Sequence, residues 1–160
     1  MRPFQRSGRV LVAVLEPIEA DILLELAGEV ATLLQSASSR PGDPALARLL
    51  PDGYRDDDEA AADFRRYTQG GLVERKVQNA MVLRETLSTA ARATGPTPIE
   101  LDERAAGAWM RALADMRLSL AARLGITDEE SIPSDPDLAD LYDWLAFVQD
   151  SLVRALDSSS

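Results

Sequence analysis

Apolar residues recur with a period near 3.6 in four long stretches of this chain, and that spacing predicts four amphipathic helices. Ile22, Leu23, Leu26, Val30, Leu33 and Leu34 form one stripe in a helix expected over Pro17 to Gln35, with Glu25, Glu29 and Thr32 pointing away. Val73, Val77, Ala80, Leu83, Leu87 and Ala91 form a second, over roughly Leu72 to Ala93. The clearest stripe is Ala106, Trp109, Met110, Leu113, Met116, Leu120 and Leu124, between Glu103 and Leu124. A fourth, Leu138, Leu141, Tyr142, Leu145, Val148, Leu152 and Leu156, follows Ser134-Asp135-Pro136. One early segment alternates instead. Arg9 to Leu15 sets Val10, Val12 and Val14 on one face and Leu11, Ala13 and Leu15 on the other, a strand expected to be covered on both sides.

Breakers and caps set the boundaries. Ser7-Gly8 is a turn signal that folds Pro3–Arg6 onto the alternating strand as a β-hairpin, and Glu16-Pro17 ends it where a helix can start. Ser36 to Pro44 is a polar loop leading to a short helix, Pro44 to Leu50. One of Asp56, Asp57 and Asp58 is expected to cap another short helix through Phe64 and Tyr67, which Gly70-Gly71 interrupts. Ile99-Glu100-Leu101 is expected as a third strand joining the hairpin; Asp102 reads as an N-cap and Gly125 as a C-cap. The fold expected is mainly α: a helical bundle of four main helices plus short helices, with a small antiparallel N-terminal β-hairpin and a short third strand. Residues 1–157 read as a single domain and 158–160 as a disordered tail. An edge strand pairing with a second copy would make a homodimer.

Composition narrows the chemistry. The 160 residues include neither cysteine nor histidine, which excludes disulfides, thiol nucleophiles, thiol redox switches, imidazole catalysis and histidine metal sites. Twenty-seven acids against 17 bases give a net charge of −10, which disfavours nucleic-acid binding because that affinity comes from neutralising phosphates. The charge is polarised. Arg2, Arg6 and Arg9 precede the first acid, whereas the segment from Ile126 onward is strongly acidic with Arg154 its one base. No secretory signal or apolar membrane span is visible, so the cytoplasm is the expected compartment.

Two groups of residues are candidates for binding. Arg65, Arg66, Tyr67, Arg75 and Lys76 surround Gly70-Gly71, where a helix start would expose backbone N–H groups to an anion. Asp140, Asp143 and Trp144, beside Phe147, have the acidic and aromatic composition of a protein-docking patch. The acids at Asp56-Asp57-Asp58-Glu59 and Asp63 are consecutive and run into a helix, as capping requires, so no metal is expected there. No nucleophile or paired-carboxylate motif is present, and no cofactor is implied.

Several segments together resemble a known family. They are Pro44-Ala45-Leu46-Ala47-Arg48-Leu49-Leu50-Pro51-Asp52-Gly53-Tyr54-Arg55-Asp56, Phe64-Arg65-Arg66-Tyr67-Thr68, Trp109 through Leu113 with Met116-Arg117-Leu118, Arg123-Leu124-Gly125-Ile126, and Tyr142-Asp143-Trp144-Leu145. Spread from Phe4 to Leu156, they are similar to the actinobacterial family of unknown function numbered two thousand and seventeen. Members are typically encoded beside the adaptor of the Clp protease, so the resemblance implies a place near regulated proteolysis or stress response. It carries no catalytic residues. The combined expectation is a non-enzymatic cytoplasmic regulator or adaptor acting by protein–protein contact, with an anion-binding module at Arg65, Arg66, Gly70 and Gly71 as the alternative.

Overall fold

The computed structural model describes residues 1–50, 59–128 and 134–158, with side chains described throughout except over 59–69. Strands β1 (Arg2–Ser7) and β2 (Val10–Leu15) pair antiparallel, and Ser7 faces Val10 across the two-residue loop Gly8-Arg9. Gly8 takes φ +65°, a left-handed conformation that suits glycine in so tight a hairpin. Strand β3 (Thr97–Leu101) pairs with the other side of β2, giving the order β1-β2-β3 with β2 central.

Helix α1 (Pro17–Gln35) starts on Pro17, and the Glu16 N–H donates to Glu19 Oε1 at 2.8 Å. A single 3₁₀ turn (Ala37–Ser39) and the short α2 (Pro44–Leu49) follow, α2 being capped by Asp43, which accepts from the N–H groups of Ala45 and Leu46. Helix α3 (Glu59–Arg92) lies against α1. Helix α4 (Glu103–Leu124) begins at Asp102, which accepts from Ala105 N–H, and ends at Gly125 with φ +71°. Helix α5 (Pro136–Asp157) starts on the Asp135 cap.

Three expectations change. Gly70-Gly71 does not interrupt anything, because α3 runs unbroken from Glu59 to Arg92. A glycine costs a helix about 1 kcal/mol relative to alanine but clashes with nothing, so packing of the flanking turns outweighs it. The sheet is also not covered equally on both sides. Leu11, Ala13 and Leu15 are buried, whereas Val10, Val12 and Val14 remain half-buried. Finally, the chain end is tied down as far as Ser158. Arg6 Nε donates to the Ser158 carbonyl at 2.9 Å and Nη2 to the Leu156 carbonyl at 3.2 Å, so a strand arginine caps the C-terminus of α5.

The core lies where the sheet, α1, α3, α4 and α5 meet, and Trp109 is at its centre, fully buried. Phe4 meets the indole edge-to-face, with centroids 5.6 Å apart and planes at 81°. The indole N–H donates to Thr86 Oγ1 at 2.8 Å, and the Thr86 hydroxyl donates to the Leu83 carbonyl at 2.7 Å. Replacing Trp109 by alanine is expected to lower unfolding free energy by about 3–5 kcal/mol. Thr86→Val, which strands the indole N–H, should cost about 1–3 kcal/mol. Urea denaturation of both variants checks this.

Candidate functional site

The two sequence-predicted groups fare differently. Arg65, Arg66 and Tyr67 lie on α3, as does Phe64, but their side chains fall outside the described residues. Gly70 and Gly71 sit inside the helix, so their N–H groups do not form the nest expected at a helix start. Arg75 is exposed, its Nη1 3.6 Å from where a Cβ on Gly71 would stand. The acids at 56–58 and at 129–130 lie outside the described residues, while Asp135 is spent as a cap, accepting from Asp137 N–H at 3.0 Å.

Lys76 leaves the surface role expected for it. Its ammonium turns inward and donates to Asp115 Oδ1 of α4 at 2.6 Å, with side-chain exposures of 19% and 5%. Asp115 was missed in the sequence although a signal was present: it lies among Ala112, Leu113 and Met116 on the buried side of α4. Burial pushes its carboxyl above the ordinary value of 3.8, against the opposing hydrogen bond and charge of Lys76. Its Oδ2 is buried and has no hydrogen-bond partner among the described residues.

Two residues along, Arg117 joins α4 to α5. Its Nη1 donates to Gln149 Oε1 at 2.8 Å, its Nη2 reaches the Tyr142 hydroxyl at 3.4 Å, and the guanidinium carbon stands 4.9 Å from the Tyr142 ring centroid. These contacts hold α5 in rotation about its own axis, and they leave a defined outward face. Asp140 and Asp143 are exposed, as is Phe147 at 47% of its surface. Trp144 is half-buried against the core, so it forms the margin of this face. Positions 140, 143 and 147 share one side of the helix by their three- and four-residue spacing. An exposed phenylalanine one turn beyond two carboxylates suits contact with a basic, partly apolar surface.

Asp115 carries a pH signature. The unfolded chain releases this proton near 3.8, whereas the folded chain keeps it to higher pH. Its contribution to stability is therefore full below 3.8 and falls as pH rises through the window up to the folded value. Asp115→Asn lacks this term. The stability of wild type minus that of the variant is expected to shrink as pH rises above 3.8 in urea titrations; a gap that widens would mean that Lys76 outweighs burial.

No helix among the described residues is long and apolar enough to cross a membrane. No solved structure matches the chain. Matching relatives include the oxidative stress regulator AosR of Mycobacterium tuberculosis and that of Mycobacterium bovis. Each is 32% identical over 188 residues, covering 96% of this chain and 85% of the relative. The model of the family described as Domain of unknown function (DUF2017) matches residues 1–156. With a match over nearly its whole length, the chain belongs to that family.

Proposed function

We propose that this protein is a non-enzymatic regulator of an oxidative stress response, acting by protein contact through the outward face of α5. The single observation that carries the contact is the exposed Phe147 set beside Asp140 and Asp143. The relatives' name, oxidative stress regulator, supports the process. Absence of histidine and cysteine removes the commonest catalytic groups, and it removes thiol chemistry as this chain's way of sensing an oxidant. In this reading the oxidative signal reaches the chain through what it binds rather than through a thiol.

Charge decides the kind of partner. A chain of net charge −10 with a carboxylate-rimmed aromatic attracts a basic surface over distances near the Debye length, about 8–10 Å at physiological salt. The ring then supplies apolar contact once the partner has docked. Truncating Phe147 is expected to cost less stability than truncating a core residue, because nearly half of its surface is already in water.

The test is site-specific crosslinking in cells. A photoreactive phenylalanine at position 147 is expected to give one discrete adduct whose yield changes on peroxide treatment. Combining it with Asp140→Lys and Asp143→Lys should abolish that adduct, while Asp21→Lys on α1 should not. Absence of any adduct with and without peroxide rules the reading out. Peptide sequencing of the adduct identifies the partner and so tells whether it serves transcription control or regulated proteolysis.

A further inference from the structure

Arginines converge where the composition would not place them. A hollow of about 500 Å³ lies between α1, α3, α4 and the segment after the 3₁₀ turn, and none of its walls belongs to α5. Arg84 of α3, Arg123 of α4 and Arg40 reach it from separate stretches of chain, and Glu29 is the one acid among its lining residues. The walls thus carry three positive charges and one negative in a chain whose net charge is −10. Thr32 and Ser119 add hydroxyls.

Fold maintenance accounts for only part of this. Arg123 lies in the last turn of α4, where the helix dipole favours a cation, and pairs with Glu29 at 3.4 Å. Both side chains are about half exposed (49% and 52%), so that pair contributes little and yields easily to a stronger anion. Arg84 is in mid-helix, beyond reach of either terminus, and makes no hydrogen bond or ion pair among the described residues. Its guanidinium carbon stands 3.8 Å from where a Cβ on Gly28 would be, so the glycine lets the planar group lie close along α1. The hollow continues into a smaller one of about 260 Å³ that shares Arg40, Arg123 and Ser119 and adds Asp43. Asp43 Oδ1 is already occupied by the N–H groups of Ala45 and Leu46.

We infer that this hollow binds the phosphate groups of a small phosphorylated metabolite. Guanidinium forks match the paired oxygens of a phosphate, and the hydroxyls of Thr32 and Ser119 supply neutral donors beside them. Arg84 and Arg123 bring two exposed guanidinium groups to one open depression, enough to meet a doubly charged group, and its volume of about 500 Å³ falls in the range of small-molecule sites, about 300–1,000 Å³. The site is separate from α5, so it stands or falls independently of the partner contact.

Calorimetric titration of the full chain with inorganic pyrophosphate, at low ionic strength and against sulfate of matched ionic strength, tests it. Saturable binding is expected, weakened at least tenfold by Arg84→Gln and by Arg123→Gln. Arg104→Gln, at the other end of α4, should leave it unchanged. Circular dichroism confirms that each variant is folded, which the exposure of these arginines favours. No saturable heat with pyrophosphate overturns the inference, as does equal weakening by all three variants. Binding of a hexa-aspartate peptide in its place would reassign the hollow to an acidic protein segment.

Discussion

An indole ring wholly removed from water needs an acceptor for its N–H, and the arrangement of this protein follows from where Trp109 finds one. The Thr86 hydroxyl accepts a hydrogen bond from that N–H and donates one to the Leu83 carbonyl, which holds α3 against α4 at one level. The ring's remaining surface takes the Phe4 edge from β1. Phe4 in turn lies over α5, where its N–H approaches Ser151 Oγ at 3.5 Å. One side chain therefore ties together the sheet and the two long helices beside it, and links onward to the last.

Below that level, α4 divides its polar side chains between neighbours. Asp115 turns to α3 and meets Lys76; Arg117 turns to α5 and meets Gln149 and Tyr142. Buried charge is a costly fastening, since desolvation offsets much of the attraction, as the raised Asp115 proton affinity reflects. Its value lies in selectivity. A stripe of leucines tolerates sliding or rotation by one position, whereas a lysine–aspartate contact at 2.6 Å fits one register of α3 on α4. The buried stripe of Leu145, Val148, Leu152 and Ala155 turns the side of α5 that carries Asp140, Asp143 and Phe147 outward, and the Arg117 contacts add to that orientation.

The two candidate sites divide the molecule electrostatically. The acidic, aromatic face of α5 suits a basic protein, and the arginine-lined hollow between α1, α3 and α4 suits a small anion. Two surfaces of opposite charge on one chain suit two chemically different kinds of ligand.

Local signals determined most of the architecture without help. Pro17 and Pro136 with their caps, the Asp102 and Gly125 boundaries of α4, and the alternation of β2 each depend on neighbouring residues alone, and each element formed near where those residues place it. The stripe containing Trp109, Leu113, Met116 and Leu120 likewise marked the core, because a helix with that period has only one apolar side to bury. Gly70-Gly71 misled for the complementary reason: glycine weakens a helix by a small local amount, and the packing of α3 against α1 and α4 is a larger, non-local one. Which polar groups meet was decided in three dimensions. Lys76 and Asp115 stand 39 positions apart, Arg117 and Gln149 32, and Arg6 lies 152 from the carbonyl it caps. The convergence of Arg40, Arg84 and Arg123 belongs to the same class: charge at a site is a sum over helices that only tertiary packing brings together.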